Sequence, residues 1–413
     1  MANTKAPIAK VADKISGYFV QAILCIAIVS FIIWLIISQS FATSINIFIS
    51  LLVIACPCSL GLATPLAIVI ASGLSAKNGI LVKNSETIEN AHKVKKIVFD
   101  KTGTLTKGEL TVSKIYNYSN FEEKDLMKLV GSIEVKSEHP IAKAIIEYCT
   151  EIELDNISEF KVFPGLGIKA NYIEKEVYIG NKKFMVENNI IIKESHNQDE
   201  EVLSNEGNSI IYVGIENEIK ALIGAKDTIK PEAIETIKRL KEQNIEIIML
   251  TGDNEKTATA IANQIGIDKI IAGVMPTEKS KEIEKLKEEN SLIMMVGDGI
   301  NDAPSLTKAD IGVSVASGTD IAIDSSDVVL MNNSIIYIND LIYISKKTIG
   351  NIKQNLFWAF FYNICMIPIA AGVFTKWDIV LNPMIAAFAM TLSSLTVVFN
   401  ALRLRTIKIK GGN

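Results

Sequence analysis

Four apolar runs, each about the length needed to cross a bilayer, bracket one long polar stretch, and nothing else in the chain limits its fold as strongly. A helix needs about 20 apolar residues to span the hydrocarbon. The runs are Tyr18–Ile37, Ile45–Ala71 (interrupted by Pro57 and Pro65), Leu356–Phe374 and Met384–Leu402. Residues 81–345 lie between the second and the third. The first run is too long for a signal peptide and no small-residue cleavage site follows it, so it reads as a true span. Lysines and arginines gather on one side of the runs: Lys5, Lys10 and Lys14, then Lys77 and Lys83, Lys346, Lys347 and Lys353, and finally Arg403, Arg405, Lys408 and Lys410, while the loop at Thr375–Pro383 carries one Lys and one Asp. The positive-inside rule then puts both termini and the soluble part in the cytoplasm. The expected setting is an integral membrane protein of a bacterial plasma membrane.

Composition narrows the choice further. The 413 residues exceed one ordinary domain, 49% of them are hydrophobic, and the net charge is only −4. A nucleic-acid partner is not favoured. Of the five cysteines, Cys25, Cys56, Cys58 and Cys365 fall in apolar runs and only Cys149 does not. An odd count placed this way argues against a disulfide framework.

Within the polar stretch, three short apolar runs end in polar, glycine-containing loops. Lys96–Phe99 leads into Asp100-Lys101-Thr102-Gly103-Thr104, Ile245–Leu250 into Thr251-Gly252-Asp253, and Leu292–Val296 into Gly297-Asp298-Gly299-Ile300-Asn301-Asp302. Each reads as a buried parallel strand. Helical patterns at Pro231–Glu242 and Thr277–Glu289 separate them, which predicts a doubly wound parallel α/β sheet. Ligands of such sheets bind beyond the carboxyl ends of the strands. Asp100, Thr251, Asp253, Asp298 and Asp302 are therefore expected to converge. Residues 110–220 interrupt the pattern with helices of their own (Glu122–Val135, Ile141–Cys149) and strands (Val177–Ile179, Ser209–Val213), and read as an inserted α+β domain.

A carboxylate on a strand-end loop beside Lys, Thr and Gly can attack phosphorus and form an aspartyl-phosphate. Phosphoryl transfer mainly needs in-line positioning and neutralised oxygens. Mg²⁺ takes hard oxygen ligands, and Asp100, Asp298 and the Thr102 carbonyl can supply them. The Thr251 hydroxyl and the Gly252 N–H can donate to the phosphoryl group, and Lys279 can supply positive charge. One Gly-Asp pair is usually only a turn. Three such loops in this order are a different matter.

These three loops resemble the motifs of P-type ATPases, whose core has the haloacid-dehalogenase-like fold, and the resemblance covers nearly the whole chain. It implies that Asp100 is the phosphorylated residue, with Lys101, Thr102, Thr251, Gly252, Asp253, Lys279, Asn301 and Asp302 around it. It also implies ATP and Mg²⁺ as cofactors. Soluble phosphatases of the same superfamily carry a second Asp two residues after the nucleophile. Here that position is Thr102, which cannot do acid–base chemistry at neutral pH, so a phosphatase is disfavoured and a persistent phosphoenzyme expected.

Ser137-Glu138-His139-Pro140, Pro164-Gly165-Leu166-Gly167 and Gly180-Asn181 resemble nucleotide-site elements of the heavy-metal branch, whose acidic residue falls on Glu134. The resemblance implies that His139, Glu134 and Asn181 meet adenine or ribose, with Gly165, Gly167 and Gly180 allowing close approach. His92 and His196 have no such context and read as structural.

Cys56-Pro57-Cys58 sits inside the second apolar run. Proline breaks the helical ladder, and two thiols beside that break suit a soft ion such as copper(I) or zinc. The triplet resembles the heavy-metal branch's motif. Tyr362-Asn363, with Asn355 before it, and Met390-Thr391-Leu392-Ser393-Ser394 resemble its copper(I) subgroup. That implies Cys56, Cys58, Tyr362, Asn363, Met390 and Ser394 as copper(I) ligands, with Asp13 where the ion first meets the protein. Asn355 and Ser393 can equally hold helices together. Met384–Leu402 holds no Asp, Glu, Lys or Arg, which argues against a zinc or cadmium pump.

The implied organisation is 1–80 with two membrane helices, 81–109 and 221–345 as a phosphorylation domain, 110–220 as a nucleotide-binding domain, and 346–413 with two further membrane helices. The family pattern runs longer at the amino end, and neither a Thr-Gly-Glu triplet nor a Cys-x-x-Cys occurs. The expectation is a truncated product, half of a split pump or an engineered fragment, slow to hydrolyse its phosphoenzyme. Its expected partners are the membrane, copper(I) from a soluble chaperone, and a separate chain carrying the actuator. A nucleotide- and metal-binding protein without turnover is the rival of another class.

Overall fold

The computed structural model describes residues 7–54, 56, 58–137, 139–157, 159–173, 175–253, 255–287, 291–298, 302–315, 324–377 and 381–409. The chain divides into two compact units, Met1–Val94 with Ser326–Asn413, and Lys95–Ser325.

In the first unit, α1 (Pro7–Ser38) is followed by α2 (Phe41–Ile54) and α3 (Cys58–Lys77). The α2–α3 segment is interrupted around Cys56, where the neighbouring proline cannot donate a backbone bond. Strand β1 (Ile80–Val82) pairs antiparallel with Val328–Leu330, and α4 (Ser85–Asn90) is capped by Asn84. Two long helices complete the unit, Tyr337–Ala370 and Pro383–Leu402. Among the described residues, three segments are long and apolar enough to cross a membrane: Lys14–Ser38, Phe41–Lys77 and Pro383–Thr406. The protein is an integral membrane protein. The third expected span, Leu356–Phe374, corrects to a longer, more polar helix. Tyr337–Ala370 is continuous over 34 residues, and Asn351, Lys353, Gln354, Asn355 and Asn363 dilute its apolar character.

Those asparagines face inward. Asn351, Asn355 and Asn363 recur at intervals of four and eight residues and are all buried. Asn351 Nδ2 donates to the Asn400 carbonyl at 2.7 Å, and Asn400 Nδ2 to Asn355 Oδ1 at 2.8 Å. Polar side chains buried between membrane helices commonly join them in this way.

In the second unit, β2 (Lys96–Asp100) leads into a tight loop, after which β3 (Thr106–Asn117) leaves for a second sheet. Helices α5 (Glu123–Glu134) and α6 (Pro140–Tyr148) precede β4 (Phe160–Phe163), β5 (Gly167–Tyr172) and β6 (Lys175–Gly180). Then come α7 (Lys182–Glu187), α8 (Glu194–Asn205), β7 (Ser209–Ile215) and β8 (Glu218–Ile229). This sheet is antiparallel in the order β3-β8-β7-β6-β5-β4. Its strands alternate. Val177, Ile179, Ile211 and Val213 pack against Leu126, Ile133 and Ile145 of α5 and α6. Tyr178, Tyr212 and Leu222 pack against Phe184, Met185 and Leu203 of α7 and α8. A strand exposes alternate residues to opposite faces, so a sheet covered on both sides must be apolar at both.

The chain then returns through α9 (Pro231–Lys241), β9 (Glu246–Leu250), α10 (Glu255–Ile265), β10 (Lys269–Ile271), α11 (Lys279–Lys287), β11 (Ile293–Gly297), α12 (Ala303–Lys308) and β12 (Ile311–Val315). Here the pairing is parallel, in the order β12-β11-β2-β9-β10. Strand β2, the first in sequence, lies between β9 and β11. That order brings the loops after β2, β9 and β11 side by side at one edge.

Candidate functional site: the carboxyl end of the parallel sheet

Asp100 closes β2 and is 5% exposed. The loop after it, Lys101–Leu105, turns through Gly103 at φ +73°, a left-handed conformation that favours glycine. Asp298 lies alongside it: a Cβ on Gly103 would stand 3.4 Å from that of Asp298, in ordinary contact. Lys279, first residue of α11, donates to Asp100 Oδ1 and, at 2.8 Å, to Asp302 Oδ1. Asp302 is fully buried, and its Oδ2 has no hydrogen-bond partner among the described residues. Burial raises Asp100 to about 7, with the Asp302 charge adding to the rise, Lys279 opposing it and Asp298 adding again. Burial alone would lower Lys279, but Asp100 and Asp302 outweigh it and hold the ammonium above its usual range.

The other half of the cleft is Lys101, whose ammonium pairs with Asp253 Oδ2 at 2.7 Å. The Thr251 hydroxyl accepts the Asp253 N–H at 3.1 Å, so it caps its own loop. Gly252 sits 3.3 Å (from an added Cβ) below the Val274 carbonyl. Thr102 has extended backbone, φ −76° and ψ 129°. The structure thus gathers Asp100, Asp298, Asp302, Lys279 and Gly103 on one side and Lys101 with Asp253 and Thr251 beside them. Asn301 lies outside the described residues.

Removing Lys279 strands two buried carboxylates. Lys279→Met is expected to cost about 3–5 kcal/mol, the usual result of deleting one member of a buried ion pair. A carboxyl whose folded pKa is raised costs stability as pH climbs from its unfolded pKa to its folded one, and the full cost remains above that. Without Lys279 to lower it, Asp100 takes up its proton at higher pH than in the wild type, so the deficit of Lys279→Met should narrow as pH falls toward about 7 from above. Urea unfolding of the variant at several pH values measures it, and a deficit that is flat with pH would refute the reading.

The residues expected to meet nucleotide lie on the antiparallel sheet and its helices. His139 is exposed at the start of α6, its Nδ1 accepting the Ile141 N–H at 3.2 Å, with Pro140 at the first helical position. That fixes the ring and leaves Nε2 as the protonated nitrogen. Glu134 ends α5, is 5% exposed, and is raised by burial to about 7 against the pull of the Ser137 hydroxyl. Gly167 and Gly180 are accounted for by packing. A Cβ on Gly167 would lie 2.3 Å from the Ile179 carbonyl, and one on Gly180 2.4 Å from that of Leu166. Gly165, at φ +74°, faces open space. Asn181 is already engaged: its Nδ2 donates to the Gly165 carbonyl at 2.9 Å and its Oδ1 caps α7 at Phe184 N, also 2.9 Å. Its side chain latches the Gly165 turn, where the sequence suggested contact with a base or ribose.

In the first unit, Asn363 is 4% exposed with Oδ1 lacking a partner among the described residues, and Tyr362 and Met390 are half-buried. The two serines divide their work. The Ser394 hydroxyl turns back to the Met390 carbonyl at 3.2 Å, while Ser393, 1% exposed, meets Ser59 Oγ at 3.3 Å across the helix pair. The serine that reaches toward α3 is Ser393, where the motif pointed to Ser394. Cys56 is half-buried and disulfide-bonded. The side chains of Cys58 and Asp13 lie outside the described residues.

Sequence reasoning missed one group beside the loop after Asp100. Asp227 on β8 accepts the Gly108 N–H at 3.0 Å and bonds the Thr106 hydroxyl. Lys230 Nζ donates to the Gly103 carbonyl at 3.0 Å. An acid and a base three residues apart at a strand end gave no signal without knowledge of which loop lay against them.

A family model described as haloacid dehalogenase-like hydrolase matches residues 94–310, more than half of the chain. Curated relatives named copper-exporting P-type ATPase are 44% identical over 412 residues in Staphylococcus haemolyticus and 42% over 413 in Staphylococcus aureus, covering 98% and 99% of this chain. The chain belongs to the haloacid dehalogenase-like hydrolases, in their P-type ATPase branch. It spans about half the length of these curated relatives, 50% in each case. Among solved structures, a zinc-transporting PIB-type ATPase in its E2.Pi state superposes with a TM-score of 0.85 at 29% identity, covering 98% of this chain and 65% of that one. The catalytic domain of the CPx-ATPase CopB-B matches with a TM-score of 0.53 at 28% identity, over 66% of this chain and 98% of that one. The haloacid dehalogenase-like match ends at residue 310 and so takes in every residue of the Asp100 cleft.

Proposed function

We propose that this P-type ATPase chain carries the phosphorylation, nucleotide and ion sites of an ATP-driven copper(I) exporter that works through an aspartyl-phosphate on Asp100. The observation that carries the reading is the buried Asp100 carboxylate held by Lys279 beside Asp302 and Asp298. An attacking oxygen of Asp100 forms a bond to the γ-phosphorus of ATP while ADP leaves. Lys279 holds Asp100 in place and offsets the charge gathered there. Thr102, in place of a second acid, leaves the acyl phosphate without a general base in its own loop.

The residues suit Mg²⁺. Asp302 keeps an unpartnered buried oxygen, and Asp298 stands against Gly103 across the loop from Asp100. Among the described residues no three His, Cys, Asp or Glu side chains form a cage by themselves. That fits a metal that relies on one or two carboxylates plus phosphate oxygens. Asp100, Asp298 and the Thr102 carbonyl would hold it, and bound there it would neutralise phosphoryl charge.

ATP would lie against His139 and Glu134. His139→Gln should slow phosphorylation from ATP and spare phosphorylation from inorganic phosphate. Equal loss of both would show a folding role for His139.

For the ion, the reading rests on Cys56, Cys58, Asn363, Met390 and the absence of any acid in Met384–Leu402. A zinc pump is the second reading, favoured by the zinc-transporting structural neighbour. The copper-exporting relatives are more similar in sequence. We place the soluble unit and both termini on the cytoplasmic side of a bacterial plasma membrane, with a copper chaperone as the ion's donor. Transport into vesicles, with copper(I), zinc and cadmium side by side, decides between the two readings.

A further inference from the structure

The loop after Asp100 is gripped from behind. Lys230 stands between β8 and α9 and is 5% exposed, so its ammonium lies inside the protein. Its Nζ donates to the Gly103 carbonyl at 3.0 Å, and its own N–H donates to the Leu105 carbonyl, also at 3.0 Å. Two carbonyls of one five-residue loop are therefore held by one residue. Asp227, three residues earlier, holds the next stretch through Gly108 N and the Thr106 hydroxyl, and that hydroxyl also lies 3.0 Å from the Lys101 carbonyl. Gly108 packs on the loop so closely that a Cβ would meet Gly103 Cα at 3.2 Å. Asp298 lies against Gly103 as well. Gly103 is thus fixed between Asp298, Gly108 and the Lys230 ammonium.

A buried ammonium is costly unless it is hydrogen-bonded and its charge is used. Glu232 on α9 and Asp227 on β8 are the acids whose charges favour the ammonium. Lys101, the other cation of the loop, is paired with Asp253. Lys230 places its proton on a main-chain carbonyl of the loop that carries the nucleophile.

We propose that Lys230 is a positioning residue for phosphoryl transfer: by holding the Gly103 carbonyl it sets the Lys101–Leu105 loop, and so the relation of Asp100 to Asp298. The proposal rests on the phosphorylation reading above and names a residue of that site which touches neither phosphate nor metal. Misplacement of reacting groups by about 1 Å costs roughly 10²-fold in rate, so the loss of this clamp should be large.

The charge gives a second readout. Burial lowers Lys230, and Glu232 and Asp227 only partly restore it. As pH rises it should lose its proton before an ordinary lysine does, and the Gly103 carbonyl should lose its charged donor. Arginine stays protonated throughout. Asp227 is raised by burial, which Thr106, Lys101 and Gly108 oppose.

The test uses the full chain in lipid nanodiscs. Label on Asp100 from radioactive ATP, with Mg²⁺ and copper(I), is timed for wild type, Lys230→Met and Lys230→Arg at neutral and alkaline pH. Nucleotide affinity and amide hydrogen exchange across 101–106 are measured alongside. Lys230→Met should label roughly 10²-fold more slowly with nucleotide affinity unchanged and faster loop exchange. Lys230→Arg should restore most of the rate and carry it to higher pH than wild type. Wild-type labelling by Lys230→Met overturns the proposal. Parallel loss of nucleotide affinity overturns it too, since that marks a folding role. A wild type that never labels overturns the phosphorylation reading instead. The clamp is then judged by exchange alone, upheld if the loop amides of Lys230→Met exchange faster and overturned if they do not.

Discussion

Asp100→Asn should give a folded protein that binds nucleotide and carries no phosphate label. Asparagine keeps the shape of aspartate and an oxygen that can accept from Lys279, but its amide is not a nucleophile. Lys279 retains Asp302 as a partner, so no buried charge is left alone. Stability should hold or rise. Asp100 is raised to about 7 in the folded protein, so it costs stability progressively from the ordinary carboxyl range up to that pH and in full above it. An asparagine removes that penalty, in full at neutral and alkaline pH and not at all in strong acid, where Asp100 is protonated in the folded and unfolded states alike. The measurement is an acid-stable, hydroxylamine-sensitive label from ATP, together with unfolding curves at two pH values. Residual label on the variant at the wild-type level would move the nucleophile elsewhere.

The second large effect concerns the ion. Cys56→Ser with Cys58→Ser should eliminate high-affinity copper(I) binding, because hydroxyls cannot replace soft thiolates for that ion. Cys56 is disulfide-bonded in the structure, so binding is measured under reducing conditions. Met390→Leu should weaken copper(I) binding and leave the fold unchanged, since the two side chains are close in volume. Tight zinc binding with none for copper(I) would replace the proposed cargo by the second reading.

Much of the catalytic unit was legible. The runs Lys96–Phe99, Ile245–Leu250 and Leu292–Val296 are strands within a residue or two, because strands buried on both faces must be continuously apolar. Parallel pairing then forces their loops to one edge, which is why Asp100, Asp253 and Asp298 could be expected near one another. The helices Pro231–Lys241 and Glu123–Glu134 were marked by periodicity and by a proline start or a strongly amphipathic face. Strand β3 was not marked. It is largely exposed, with only Thr106 buried, so burial left no alternation to read. Lys230 and Asp227 were hidden for another reason. Their partners lie about 120 residues away, and no local rule announces that a lysine will meet a particular carbonyl. The glycines carry a second reading. Gly167 and Gly180 were noticed for ligand access, and the structure gives each a steric reason in its neighbour's backbone.

The helix Tyr337–Ala370 has no break over its 34 residues. At 1.5 Å per residue it is about 50 Å long, against roughly 30 Å of hydrocarbon in a bilayer. Near its start, Ser345 donates to the Ile88 carbonyl and accepts the His92 N–H at 2.9 Å. Some 18 residues on, the same rod carries Tyr362 and Asn363, about 27 Å away at that rise. With no joint between them, a displacement at Ser345 arrives at Asn363 as rotation or translation of one stiff body. The helix is therefore a lever arm, and the asparagines that bind it to its neighbours at Asn351 and Asn355 stand where a fulcrum would.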